Sequence, residues 1–244
     1  MSGARYLIVN ADDFGQSAGV NQGVMLAHER GILTSASLMV RWPAAAEAAE
    51  YGRRRTTLSL GLHLDLGEWV YQEGEWVLLY KVVSLRDPAA VREEVHRQLD
   101  DFRRLTGREP THLDSHQHVH REKPVRAVAE EMARQIGVPL RGCSPAVRYR
   151  GDFYGQTAEG ATLPEAISIE AMIRILDTLK EGVTELSCHP AATPDLDTMY
   201  RDERVQELRV LCDTGILTEL AARGIRLLSF GELTGSRDPA ANSG

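Results

Sequence analysis

Between Leu58 and Leu66 every second position is leucine, and the positions between are Ser59, Gly61, His63 and Asp65. Side chains along a strand alternate between two faces, so this stretch has one aliphatic face and one that runs from small to polar. The leucine face belongs under a layer of helices. The other face belongs in a barrel lumen or cleft, with His63 near the strand's end.

Other segments repeat the pairing of a short apolar strand with an amphipathic helix. Residues 6–11, 35–40, 138–141, 184–189 and 226–228 read as strands, and 111–120 as a longer one. Helices are expected over 17–30, over an alanine-rich stretch closed by Gly52, and over 87–107, 124–136, 168–179, 201–214 and 217–223. The third is the best marked: Asp87 caps it, Pro88 opens its first turn, Val91, Val95, Leu99, Phe102 and Leu105 form one stripe, and Gly107 stops it. Roughly seven strands, most followed by a helix, predict an α/β fold: a distorted (β/α) TIM-like barrel of parallel strands, closed or incomplete. No linker or repeat divides the chain, so 1–235 is expected to be one domain and 236–244 a disordered tail. Segment 68–85, with Trp69, Tyr71, Trp76 and Tyr80, is expected to be a hairpin-like insertion over the site. Its aromatics either grip sugar rings or anchor the loop. Segment 144–167 is expected to be an insertion or a long loop.

At 244 residues and 43% hydrophobic the chain can bury a sizeable core. A net charge of −7 without a basic run argues against nucleic acid as a partner. The first residues read as a strand and not a signal peptide, and no apolar window is long enough to span a membrane. Cys143, Cys188 and Cys212 form no CxxC pair and suit a reducing compartment. A soluble cytoplasmic protein is expected, with no membrane partner and with a homodimer left open.

On the strand reading of 111–120, His112, Asp114, His116, His118 and His120 share one face. Five such groups fill a core poorly, because each buried polar group needs a partner. They suit the surroundings of a divalent metal, as ligands or as residues that orient ligands. A solvated histidine-rich loop is the plainer alternative. It is disfavoured because other strands also end in such residues: Asp12-Asp13, His63 and His189. Parallel barrel strands all end on one face, so these positions converge. Of two adjacent carboxylates, one can bind the metal and the other can serve as general base; capping of the following helix is the competing role. Neutral imidazoles at His63 and His116 complete a three-ligand site. One Asp and two His suit a single Zn²⁺ ion best, with Mg²⁺, Mn²⁺ or Co²⁺ as alternatives.

Asn10-Ala11-Asp12-Asp13-Phe14-Gly15, Gly61-Leu62-His63, the stretch from Thr111 to His120 and Cys188-His189-Pro190 together resemble the YdjC/ChbG-like carbohydrate deacetylases. The resemblance implies a distorted barrel, a divalent metal and hydrolysis of N-acetyl groups on amino sugars, often chitin-derived oligosaccharides. It implies Asp13, His63 and His116 as metal ligands, Asp12 as base and His189 as the acid that protonates the leaving amine. Asp114, His118 and Arg141 are expected to support the ligands or touch substrate. The sequence departs from the family at Gln117, often a histidine there; on a strand Gln117 faces away from the site.

Two other functions fit part of the pattern. A metal phosphoesterase usually needs two metals and cationic clamps, for which Arg141 and Arg148 are candidates, but no second ligand set is evident. A non-catalytic sugar-binding barrel needs neither Asp12 nor His189.

Overall fold

The computed structural model describes residues 3–234; the tail expected over 236–244 lies outside the described residues. Strand β1 (Arg5–Phe14) borders three others. Along one edge it pairs with β8 (Gly182–Cys188) from Arg5 to Ala11. Its other edge is shared: β9 (Ile225–Leu227) takes Arg5 to Leu7, and β2 (Ser35–Leu38) begins at Asn10. The sheet continues from β2 to β3 (Ser59–Leu64) and β6 (Leu113–Ser115), and from β8 to β7 (Val147–Arg150). Every pairing in this seven-stranded sheet is parallel, and the sheet curls into a half-barrel.

Helices cover the outside. α1 (Ala18–Arg30) packs between α2 (Ala45–Arg54) and α6 (Asp202–Leu211), α2 meets α3 (Pro88–Thr106), and α3 meets α4 (Val125–Ile136). α5 (Ile169–Asp177) and α7 (Thr214–Ala222) pack together, and α8 (Phe230–Thr234) lies near β3. The alternation in 58–66 does what was expected: all five leucines are fully buried. Asp87 caps α3 through Ala89 and Ala90, and Gly107 ends it in the left-handed region.

Four local expectations change. Gly52 does not close α2; it lies inside the helix, and a Cβ there would sit 2.2 Å from Leu60 Cδ1. The glycine serves close helix-to-sheet approach instead of a stop. The strand expected over 138–141 shrinks to one bridge between Leu140 and Leu113. Segment 144–167 contains β7, an edge strand whose Val-Arg-Tyr-Arg sequence lacks the apolar run that marks a central strand. The strand over 111–120 stops at Ser115.

The insertion over 68–85 is an antiparallel hairpin of β4 (Gly67–Gln72) and β5 (Glu75–Lys81). Glu73 and Gly74 turn it with φ of 51° and 91°, the two positive values that a tight two-residue hairpin loop asks for. Buried Asp65, just beyond β3, ties it down: Tyr80 Oη donates to Asp65 Oδ1 at 2.9 Å, and Arg41 NH1 and Trp42 Nε1 donate to Oδ2 at 2.8 and 3.2 Å.

Gly61 marks a tight approach on β3. The His112 ring stacks on Phe230 with centroids 3.9 Å apart, and a Cβ on Gly61 would lie 2.4 Å from His112 Nε2. Gly61→Ala therefore has to displace a ring pinned from behind. It is expected to cost about 1–3 kcal/mol, the range for overpacking. A denaturant unfolding curve measures this, and an unchanged midpoint would contradict the close approach.

Candidate active site

The carboxyl ends of β1, β3, β6 and β8 gather Asp12, Asp13, His63, Asp114, His116 and His189 at one mouth of the half-barrel. In a regular strand Asp12 and Asp13 would point to opposite faces. Here the register against β2 slips between Ala11 and Phe14, and Asp13 adopts φ of 63°. This bulge brings both carboxylates into one cavity, at the cost of a left-handed non-glycine residue. Ser17, not either aspartate, caps α1.

The histidine row does not lie on one face. After Ser115 the chain enters a 3-10 turn in which Gln117 and His118 have φ of 49° and 55°. His116 turns to Asp13, while His118 Nε2 sits 3.0 Å from Tyr149 Oη. His120 lies between Ser115 Oγ and the carbonyl of Arg141, and His112 reaches Ser37 and Thr111. Burial pushes His112 and His118 down to about 3 and His120 to about 4, so these three rings are neutral. Gln117 does not face away: its amide accepts from Trp69 N at 2.9 Å and donates to Trp69 O at 2.7 Å, which fastens β4 to the site.

Asp13, His63 and His116 could hold a metal: one ligand atom from each lies within 4.8 Å of the others. Asp13 Oδ1 is 3.2 Å from His63 Nε2 and 3.1 Å from His116 Nδ1. His63 Nδ1 donates to Asp114 Oδ1 at 2.8 Å, which fixes the ring and turns Nε2 toward Asp13. Both Nε2 atoms are buried without a hydrogen-bond partner, a costly arrangement in the protein alone. Burial alone would lower both rings, but Asp114 and Asp13 lift His63 to about 10, and Asp13 and Glu68 lift His116 to about 9. The carboxylates thus demand positive charge where a dication would supply it. The residues fit a divalent ion.

A second trio, Asp12, His63 and Asp114, is also close enough. Its oxygens are committed elsewhere. Arg141 NH1 and NH2 hold Asp12 Oδ2 and Oδ1, both at 2.6 Å, and Arg141 NH2 is 2.8 Å from Asp114 Oδ2. The buried guanidinium of Arg141 already balances both of these carboxylates.

Arg141 therefore lies buried beneath Asp12 and is not among the residues that line the cavity. Its Nε donates to Glu185 at 2.7 Å. Burial raises Glu185 to about 7, against the pull of Arg141. Burial also works to raise Asp12, but Arg141 outweighs it and holds that carboxylate below its ordinary range. Arg148 is exposed and does not line the cavity. His189 Nε2 lies 3.7 Å from Asp12 Oδ2 on one side, and His189 Nδ1 lies 3.8 Å from Glu207 Oε1 on the other. Tyr154 and Tyr200 hold the His189 ring edge-on at 5.4 and 5.5 Å.

Several of these residues were not foreseen. Arg204 NH2 reaches Asp13 Oδ2 at 2.6 Å, and its Nε donates to Tyr200 O at 2.8 Å. Glu207 accepts from the His189 amide and the Tyr200 hydroxyl. Their signal was the buried stripe of α6, where Arg204 and Glu207 occupy positions that Val210 and Leu211 continue. Two charges on an apolar stripe ask for internal partners. The cavity measures about 520 Å³; Tyr200 and Arg204 line it together with Asp12, Asp13, His63, His116 and His189, and Glu68, Trp69, Trp76, Tyr149 and Met199 add to its walls.

The class defined by this geometry is a parallel α/β half-barrel with an Asp-His-His cluster at its mouth that could hold a metal. A family model for YdjC-like proteins matches residues 6–222, and the chain belongs to that family. It is 33% identical to a carbohydrate deacetylase of Geobacillus stearothermophilus, over 93% of this chain and 98% of that one. With a chitooligosaccharide deacetylase of Serratia marcescens it shares 32% identity over 94% and 99%. Among solved structures, a protein of Enterococcus faecalis assigned to cellobiose-phosphate cleavage superposes with a TM-score of 0.75 at 29% identity, covering 95% of this chain and 99% of that one. A family 4 carbohydrate esterase of Streptomyces lividans, solved with acetate, shares the fold: TM-score 0.57, 14% identity, coverage 96% and 97%.

Asp13→Ala, His63→Ala and His116→Ala should each abolish stoichiometric binding of a divalent metal, while His118→Ala should retain it. Asp114→Asn, which loses the charge orienting His63, should weaken metal affinity about 10–100-fold. Elemental analysis and metal titration measure both effects. Metal retained in the His116 variant but lost in the His118 variant would reverse the assignment.

Proposed function

We propose that this protein is a metal-dependent carbohydrate N-deacetylase that releases acetate from N-acetylated amino sugars, with chito-oligosaccharides as the substrate class. The observation that carries the reading is the juxtaposition of Asp12 and His189 beside the Asp13, His63 and His116 pocket. A tethered carboxylate and a histidine 3.7 Å apart form an acid–base couple aimed at one cavity. The family relatives in Geobacillus and Serratia support the same chemistry.

Asp13, His63 and His116 would hold one divalent ion, Zn²⁺ by its ligand chemistry, which supplies Lewis acidity toward the acetyl carbonyl and eases deprotonation of water. Asp12, kept ionised and oriented by Arg141, takes the proton of the attacking water as the new C–O bond forms. The C–N bond then breaks and His189 delivers a proton to the departing nitrogen, so acetic acid and a neutral amine leave, and the proton held by Asp12 passes back to His189 Nε2, 3.7 Å away. The Glu207 carboxylate, 3.8 Å from His189 Nδ1, and the Tyr154 and Tyr200 rings fix the orientation of that imidazole. Trp69 and Trp76 offer flat faces to a sugar ring at the cavity wall.

A phosphoesterase fits less well. The buried guanidiniums of Arg141 and Arg204 are held on Asp12 and Asp13, and the second ligand trio shares His63 with the first. A non-catalytic sugar-binding role leaves the buried Arg141–Asp12 pair and His189 without purpose. We read residues 1–235 as one catalytic domain, since β9 near the chain's end lies beside β1 near its start. No helix among the described residues is long and apolar enough to cross a membrane. The three free cysteines favour a reducing compartment such as the cytoplasm.

Acetate release from a panel of N-acetylated chito-oligosaccharides tests the activity directly; no release from any member with metal bound would refute it. Asp12→Asn should keep the metal and lose roughly a hundredfold or more in kcat, as expected for a lost general base. Loss of metal from that variant would make Asp12 a ligand. His189→Ala should fail on N-acetyl substrates yet retain most activity on an aryl acetate, whose phenolate leaves without a proton. Equal loss on both would show that His189 is not the acid.

A further inference from the structure

The cavity wall carries a chain of hydrogen-bonding groups that neither the metal ligands nor the acid–base couple uses. His118, Tyr149 and Ser187 all line the cavity. They come from separate elements. β6 and β7 are the two ends of the curled sheet, and the turn after β6 carries His118 over to Tyr149 on β7. Ser187 lies on β8, two residues before His189. His118 Nε2 is 3.0 Å from Tyr149 Oη, which is 2.9 Å from Ser187 Oγ. Among the described residues no carboxylate bonds to any of the three, while the guanidiniums of Arg121 and Arg141 lie 4.8 and 5.2 Å from the Tyr149 ring centroid. Two cations beside the chain disfavour an ammonium ligand and leave a neutral oxygen as the group it suits.

Proton counting gives the chain a direction. A neutral imidazole and two hydroxyls carry one such proton each, and the two internal bonds use two of the three. The third is left at one end, on His118 Nδ1 or on Ser187 Oγ. His118 Nδ1 is buried without a hydrogen-bond partner. A bare lone pair there costs less than a stranded N–H. The imidazole proton therefore sits on Nε2 and goes to Tyr149 Oη, the Tyr149 hydroxyl donates to Ser187 Oγ, and the Ser187 proton is the free one. A protonated ring also donates from Nε2, so the direction is the same in either charge state. Ser187 Oγ has no other hydrogen-bond partner among the described residues. We propose that Ser187 is a specificity-determining donor, turned outward by Tyr149 and His118 toward a hydroxyl oxygen of the sugar. The inference rests on the deacetylase reading above, in which the metal takes the acetyl oxygen and His189 serves the nitrogen. Ser187, the preceding cavity-lining residue of the same strand, then meets the hydroxyl beside that nitrogen. Of the two ring carbons that flank the acetamido carbon in a chito-oligosaccharide, C1 is in the glycosidic bond and C3 keeps its hydroxyl. The chain thus reads the 3-hydroxyl of the sugar that is deacetylated.

The test is calorimetric titration of the metal-loaded, full-length chain with N,N′-diacetylchitobiose and with analogues lacking either both 3-hydroxyls or both 6-hydroxyls. An Asp12→Asn background slows turnover during the titration. Adding Ser187→Ala should weaken binding of the parent sugar about three- to tenfold, the size of one lost neutral hydrogen bond. Removing the 3-hydroxyls instead should cost the Ser187-containing protein a similar factor, and on that analogue Ser187→Ala should have no further effect. On the 6-deoxy analogue its full penalty should remain. Tyr149→Phe keeps the ring but no longer turns Ser187 outward, so its penalty should depend on the 3-hydroxyl in the same way. Metal affinity should not change in either variant. If the three residues only fasten the two ends of the sheet, the variants weaken all three sugars alike or lose metal affinity, and either result overturns the proposal. A Ser187→Ala penalty that persists on the 3-deoxy analogue overturns it too, as does a disaccharide that does not bind at all. Circular dichroism shows whether each variant is folded; if Tyr149→Phe is not, Ser187→Ala decides alone. The deacetylase reading fails separately, by absence of acetate release from the protein with Asp12 intact.

Discussion

The guanidinium of Arg141 lies beneath the site with three carboxylates converging on it: Asp12, Asp114 and Glu185. All four groups are buried. Such an assembly is stable only as a unit, because removing one partner strands uncompensated charge at a typical cost of about 3–5 kcal/mol. It also joins the parts of the site. Through Asp12 it orients the proposed base, and through Asp114 it sets the ring of His63, whose other nitrogen faces Asp13. His120 in turn holds the backbone carbonyl of Arg141. Ligand geometry and base geometry are thus set by one cation.

Departures from regular strand geometry do the rest. Asp13, Gln117 and His118 all occupy the left-handed region, which non-glycine residues adopt at a cost. Without the bulge at Asp13, one of the paired aspartates would point into the helical layer. Without the turn after Ser115, His116 and His118 would share a face. Instead His116 meets Asp13, and His118 joins Tyr149 and Ser187 on the cavity wall. The half-barrel positions the strand ends, and a few strained residues aim the side chains.

The strand ends were legible because polar residues at the end of an apolar strand have no role in packing. The leucine alternation of 58–66, the Asp12-Asp13 pair, His63 and His189 all declared themselves this way. The periodicity of 111–120 misled beyond Ser115, since an alternating pattern does not reveal a change of backbone conformation. Arg204 and Glu207 were hidden in a helix whose buried face is partly charged, and Tyr149 sat on an edge strand without apolar rhythm. These are tertiary partners, and local pattern carries little of that information. Arg141 was legible as a candidate, but its place beneath Asp12 depends on partners that three separate strands supply.

Where the metal sits decides most between this arrangement and its nearest competitor. Anomalous scattering from a crystal grown with Zn²⁺ would locate the ion. The expected result is one peak about 2.0–2.2 Å from an oxygen of Asp13 and a nitrogen each of His63 and His116, with Asp12 still paired to Arg141. A peak coordinated by Asp12, His63 and Asp114, with Arg141 displaced, would contradict the division of the two aspartates and the acid–base couple built on it.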